Sequence, residues 1–324
     1  MKLGFILSMV VGLAVATAII GYIGFGSVFA SLAAIGWRGF AVLCAYAALP
    51  YAILGTAWFA LVPGATMQQW GTLVWARLLR EAASELLPFT QVGGFLIGAR
   101  AAAIQGLLGG VALATTIVDV TTELISQLGF TGVGIAFLLM RLGGKTSGGD
   151  LIGASFIGLA LTAVGAVGFM ALQRHGMGFV EALARRFVPS AVAGTGELRL
   201  AFIDLYRRRA RLAVSVGVHF VAWIASAGGV WLALRLAGIE IGLGAVLAIE
   251  SLVLAVRSAT FFAPMGVGVQ EASYALIGPL FGLSLEMSLA LSLIKRAREL
   301  AIGLPALLIW QGMEGRRLIL GAQQ

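Results

Sequence analysis

Charge is scarce in this chain. Only 11% of its 324 residues are Asp, Glu, Lys or Arg, and 60% are hydrophobic, against roughly 25% charged in a soluble domain. That deficit excludes a soluble fold and leaves no room for a sizeable soluble domain. Cysteine is nearly absent: Cys44 stands alone, which rules out an intramolecular disulfide framework. With two histidines and one cysteine, no metal cluster is expected. No nucleophile elbow, phosphate loop or dinucleotide fingerprint stands in a fitting context, and Gly129-Phe-Thr-Gly132-Val-Gly134 reads as ordinary membrane-helix glycine. No cofactor is expected.

What the chain does have is long apolar stretches. A span needs about 20 apolar residues. Residues 4–25, 40–62, 108–140, 151–172, 212–236 and 284–312 meet that need, the last kinked by Pro305 and 108–140 bent around Gly129–Gly134. The stretch after Lys2 exceeds a signal-peptide core and reads as an uncleaved first span. Gly36-Trp37-Arg38 reads as a short loop. The formal charge of +8 is not a nucleic-acid signal, because eight of the 22 Lys/Arg lie between Arg174 and Arg211, in a loop between two spans. The positive-inside rule makes loop 173–211 cytosolic, where it can also meet anionic headgroups. Within it, Glu197 to Arg211 reads as an interfacial helix with Leu198, Ala201, Phe202 and Leu205 on one side. Both termini and residues 63–70 are then inside, and 24–39 and 141–150 outside.

Two segments break this pattern. Residues 71–87 and 95–106 flank Pro88, Gly93 and Gly94; residues 243–263 and 269–281 flank Pro264, Gly266 and Gly268. Each is too short for a confident span and reads as a re-entrant hairpin. Both carry charge: Arg77, Arg80, Glu81 and Glu85 before the first break, Glu250, Arg257 and Glu271 around the second. An intramembrane charge costs at least about 2.5–3.5 kcal/mol, and a broken helix frees backbone groups that lipid cannot satisfy. Paired breaks of this kind point to a transporter's binding site.

The breaks also align. Pro264 lies 176 residues after Pro88, and the same offset maps Glu123 onto Glu299, Asp119 onto Lys295, Gly106 onto Gly282 and Glu81 onto Arg257, with ten identities over residues 71–126. In the topology above the two halves run in opposite senses. On the exposed helix geometry, Arg77 can pair with Glu81, and Glu85 takes a donor from Arg80 or Arg100. Glu250 and Arg257 share a face, and the acidic pair Asp119/Glu123 is expected to neutralise the basic cluster Lys295, Arg296, Arg298 and Glu299 across a pseudo-twofold axis. A buried ion-pair network that only fixes helix register is the alternative. His219 reads as a packing or hydrogen-bonding residue. The glycines read as freed anion-binding amides or as close helix packing.

Ser258-Ala-Thr-Phe-Phe-Ala-Pro264-Met-Gly266-Val-Gly268-Val-Gln-Glu271 resembles the S/P-x-P-x-G-x-G-x-x-E signature of the lysylphosphatidylglycerol synthase transmembrane-region family, also called flippase-like. Glu85-Leu-Leu-Pro88 with Gly93-Gly94 resembles its first-half motif. The family's Glu-Arg-x-x-Asp element is only echoed by Asp119-x-x-x-Glu123, so its arginine is missing. The resemblance covers roughly residues 5–315. In the bifunctional members this domain flips aminoacylated phosphatidylglycerol and precedes a soluble transferase. With the sequence stopping at Gln324, a stand-alone member lacking that transferase is expected, similar to the subgroup found with hopanoid biosynthesis genes.

The expected fold is an all-α polytopic membrane protein, about six spanning helices plus two re-entrant hairpins in two inverted repeats. It forms one domain over 1–324, with repeats near 36–140 and 212–316. The expected function is a flippase or transporter of a polar or anionic-headgroup lipid (phospholipid, hopanoid or isoprenoid-linked) in the bacterial inner membrane. Its partners are membrane lipids and lipid-biosynthesis enzymes. Arg77, Arg80, Arg257 and Arg296 would bind anionic oxygens, Glu85 and Glu271 would order them or bind an amine, and Glu81, Asp119, Glu123, Glu250, Arg298 and Glu299 complete the candidate site. The alternatives are an integral-membrane enzyme of isoprenoid or glycolipid metabolism, with Asp119 or Glu123 as base, and a non-catalytic scaffold for lipid biosynthesis. Reporter fusions at Ala193 and Lys145 are expected on opposite membrane faces; finding both on one face would overturn the topology.

Overall fold

The computed structural model describes residues 25–87, 90–142, 195–260 and 267–321, with isolated positions between 160 and 167. Pro88, Pro264, Gly266, the expected spans at 4–24 and 151–172, the 143–150 turn and the loop up to residue 194 lie outside the described residues. Among those described, all regular structure is helical. The helices are α1 (Phe25–Tyr46), α2 (Ala48–Leu61), α3 (Met67–Leu86), α4 (Thr90–Ile104), α5 (Gly109–Leu142), α6 (Thr195–Arg207), α7 (Arg209–Leu236), α8 (Leu243–Ala259), α9 (Val269–Ile277) and α10 (Leu285–Gly321). A 3-10 turn, Gly278–Phe281, extends α9.

Three of the described helical stretches are long and apolar enough to cross a membrane: Ala33–Leu61, Gly109–Arg141 and Arg209–Leu236. The shortest has 28 residues, or about 42 Å at 1.5 Å per residue, against a hydrocarbon core of about 30 Å. The expected loop at Gly36-Trp37-Arg38 is a single non-helical residue, Gly36, inside α1, and Trp37 behind it is exposed. α5 is helical straight through Gly129–Gly134, and α10 through Pro305.

Local chemistry sets the helix ends. Gln69 accepts the Thr66 backbone N–H at 3.0 Å and starts α3. Gly106 and Gly282, at φ 105° and 95°, turn the chain into α5 and α10, a left-handed geometry that glycine adopts without Cβ clash. The starts of α3 and α8 (67 and 243) and of α5 and α10 (109 and 285) are, like these glycines, 176 residues apart.

The core forms where these helices pack. α7 packs on α2 and α5, α8 on α5, and α3 lies between α2, α4 and α10. Trp58 of α2 is fully buried and donates its Nε1–H to Thr115 of α5 at 3.0 Å. The interfacial helix expected at 197–211 is α6. Its Phe202 and Leu205 are buried against Leu61, Ala99, Leu113 and Val118, while Leu200 and Ile203 stay exposed. Arg211 donates to the Ala60 and Val62 carbonyls at the end of α2, at 3.5 and 3.1 Å.

Gly55 shows how close the helices come: a Cβ there would stand 2.6 Å from the Val74 Cα, whereas one at Gly71 meets nothing within 4 Å. Gly55→Ala is therefore expected to lower stability in detergent by about 1–3 kcal/mol through overpacking. Gly71→Ala is expected to leave the melting temperature unchanged or raised, as helix propensity favours alanine. Equal melting of both variants would contradict this packing.

Candidate functional site

α3 places Arg77, Arg80 and Glu81 on one face, and the adjacent turn of α5 offers Asp119 and Glu123, four residues apart on theirs. The result is a closed knot. Arg77 Nη1 donates to Asp119 Oδ2 at 2.7 Å, and its Nη2 reaches Glu123 Oε1 at 2.5 Å and Glu81 Oε1 at 2.8 Å. Arg80 Nη1 shares Asp119 Oδ2 at 2.7 Å, and its Nη2 binds the other Glu123 oxygen. From α7, His219 Nε2 completes Asp119 at Oδ1, 3.0 Å away. Arg77, Asp119 and His219 have no exposed surface, and Arg80 has 1%. Such closure is what a low-dielectric interior demands of charge.

The second half builds a counterpart with the signs exchanged. Here the carboxylates are on α8 and α9 and the cations on the long helix α10. Glu250 of α8 takes Lys295 of α10 at 2.7 Å, and the Tyr274 hydroxyl of α9 donates to Glu250 and accepts from Lys295 at 2.8 Å. Glu271 Oε1 meets Arg296 at 3.0 Å, and its Oε2 accepts the Gly268 N–H at 2.8 Å, holding the start of α9. Gly268 has φ 81°, so the second break needs glycine there.

Besides His219 on Asp119, two ion pairs join the halves among the described residues, Arg100–Glu314 and Glu85–Arg257. Arg257 Nη2 of α8 lies 2.6 and 2.7 Å from the two oxygens of Glu85 on α3, while its Nη1 donates to Gln270 of α9 at 2.9 Å. Both charged side chains keep partial exposure, 21% and 23%. Gln127 of α5 donates to Ser258 of α8 beside it. The C-terminal ends of α3 and α8 therefore meet.

Two expectations are corrected by this geometry. Glu85 is held by Arg257 rather than by Arg80 or Arg100, because Arg80 is consumed by Asp119 and Glu123 and Arg100 by Glu314. Asp119 and Glu123 do not neutralise the α10 cluster: each long helix finds its counter-charges on the adjacent arm of its own half. Glu250 and Arg257 act apart, on different partners.

Of the remaining candidates, Gly93 sits in the first turn of α4, and Gly94 packs against α3, where a Cβ would lie 2.6 Å from the Arg80 carbonyl oxygen. Gly94 thus serves close packing. Arg298 and Glu299 have no hydrogen-bond or ion-pair partner among the described residues. The polar residues that sequence reasoning passed over are Gln270, Tyr274 and Ser292. Gln270 and Tyr274 stand one helical turn apart beside Glu271 in a nine-residue apolar helix, and that i, i+4 spacing was the available signal.

Helices of this length and apolarity, closing their charges inside, define a helical membrane protein. The chain belongs to the lysylphosphatidylglycerol synthase TM region family, whose model matches residues 9–306. No curated protein and no solved structure matches it. The knot yields a direct test. Asp119→Asn leaves Arg77, Arg80 and His219 short of their shared carboxylate, and a loss of about 3–5 kcal/mol is expected, as for a broken buried pair. A melting curve like that of the unaltered protein would show that the cluster does not hold α3 to α5 and α7.

Proposed function

We propose that this chain is a lipid flippase of the bacterial inner membrane, moving a lipid with a polar or anionic headgroup. Membership of a membrane family associated with phospholipid chemistry supports a lipid substrate. The observation that carries the reading is the Glu85–Arg257 pair: a partly exposed ion pair where the ends of α3 and α8 meet. Fully buried pairs such as Arg77–Asp119 fix structure, whereas a pair with access to solvent or ligand can exchange partners. In the proposed cycle, headgroup phosphate competes with Glu85 for Arg257, since the guanidinium fork suits phosphate. The hydrocarbon tail stays in lipid.

The two halves act as inverted repeats that rock against each other around this pair. The common 176-residue spacing of helix starts and of Gly106/Gly282 supports a repeat, and alternating access is the motion such repeats favour. Both termini would be cytosolic, and enzymes of lipid biosynthesis would supply or consume the substrate. Asp119 and Glu123 suit an enzymatic base poorly, because guanidinium groups already occupy both.

Arg257→Gln is expected to abolish lipid scrambling in reconstituted liposomes while expression and detergent stability stay close to normal. Arg257→Lys is expected to be stable but poorly active, because it keeps charge and loses the fork. Full scrambling by the glutamine variant would remove Arg257 from the transport path and leave the pair as a structural tie.

A further inference from the structure

The knot around Asp119 is one positive charge short. It gathers three carboxylates, Glu81, Asp119 and Glu123, around two guanidinium groups, Arg77 and Arg80. The second cluster is even, with Glu250 and Glu271 against Lys295 and Arg296. Glu85 and Arg257 cancel each other, and Arg298 beside Glu299 adds no net charge. An uncompensated charge at full burial is costly, and a bound proton removes it.

The geometry limits where that proton can sit. Asp119 Oδ2 takes both arginines, and Oδ1 takes His219 Nε2. The two oxygens of Glu123 take one arginine each. Protonating either carboxylate would disturb one of these contacts. His219 differs. Its Nε2 donates to the ionised Asp119, so a lone pair is left on Nδ1. Nδ1 is buried without a partner, and the side chain has no exposed surface. A proton there turns the hydrogen bond into a charged pair and sets three charges against three. The charged groups facing the ring are Asp119 and Glu123 of α5 and, across them, Arg77 and Arg80 of α3. α2, which also packs on α7, has no charged residue. Arg208 of α6 and Glu250 and Arg257 of α8 pair elsewhere. Arg298 of α10 meets α7 at Gly229, and Gly39, next to Arg38 of α1, meets it at Leu236, both far along the helix from His219.

His219 is on α7 and Asp119 on α5, so a proton here bridges the two halves, beside the Thr122–Ser215 hydrogen bond. Full burial occludes it, and exchange with water requires the seam to open. The 176-residue offset puts Leu43 opposite His219, so the second half closes its charges without a histidine. Repeat packing alone does not call for one. We infer that His219 and Asp119 bind a proton that drives lipid movement. Binding at Nδ1 ties α7 to α5, and release as the halves part frees them to move. The site rests on the flippase reading and adds its source of energy.

His175 is the only other histidine of the chain, so effects are assigned by two variants. His219→Gln keeps an N–H donor for Asp119 and cannot take the proton, and His175→Gln is the control. An imidazolium holds Asp119 more tightly than a neutral ring does, so stability is lost as pH rises. The melting temperature of the full-length protein in detergent is expected to fall by about 2–4 °C per pH unit from about pH 6.5 to about pH 8. His175→Gln should keep that slope and His219→Gln should lose it. In liposomes carrying fluorescent phosphatidylglycerol, a gradient of about one pH unit should concentrate the probe in one leaflet, up to about tenfold for one proton per lipid. His219→Gln should leave the probe evenly spread. A flat melting profile of the unaltered protein, or a slope that His219→Gln retains, would overturn the site. A slope lost in His219→Gln with no lipid movement by either protein keeps the proton site and removes the flippase. Lipid movement that is equal in both proteins and blind to the gradient keeps the flippase and removes the coupling.

Discussion

Everything in this fold depends on neutralising arginine inside a membrane. Arg77 and Arg80 lie within an otherwise apolar packing layer, and the structure can form only if Asp119, Glu123 and Glu81 arrive with them. That demand fixes the rotation of α3 and the register of α5, and it brings α7 in through His219. Packing then follows the charges. Gly94 lets α4 lie on the Arg80 turn, and Gly55 lets α2 lie on Val74. A pattern of apolar residues alone would tolerate many rotations of these helices; the ion pairs select one.

The second half solves the same problem with a smaller cation and more hydrogen bonds. Lys295 is shared by Glu250 and Tyr274, and Arg296 by a Glu271 that also holds a backbone amide. The two clusters are tied together by His219 of α7 on Asp119, by the Gln127–Ser258 and Thr122–Ser215 bonds and by two partly exposed ion pairs, Glu85–Arg257 and Arg100–Glu314.

Much of this was legible in the sequence. The apolar run lengths placed α5 and α7, and the Pro/Gly breaks divided α3 from α4 and α8 from α9 close to the observed ends. The i, i+4 rule found Arg77–Glu81. The partners across space were not legible. Glu85 and Arg257 are 172 residues apart, and helical periodicity gives the face of each without the angle at which two faces meet. The expected cross-neutralisation of α5 and α10 failed for that reason: complementary sign at matched positions is a statement about composition, while contact is decided by which arm packs on which long helix. Tyr274 was hidden because an aromatic in an apolar helix looks like packing until its hydroxyl is seen on Glu250.

The exchange of sign between the halves bears on how the chain assembles. On the first arm the arginines face acids on α5; on the second, an acid faces the cations of α10. α3 packs on α10 and α8 on α5, yet the arginines of α3 reach Asp119 and Glu123 of α5, and Glu250 of α8 reaches Lys295 of α10. A rotation that turned these side chains onto the helix each arm packs against would set Arg77 and Arg80 facing Lys295 and Arg296, or Glu250 facing Asp119, and bury like charges together. The exchange of sign thus guards the rotation of each arm between two long helices and rejects a face that apolar packing alone would accept.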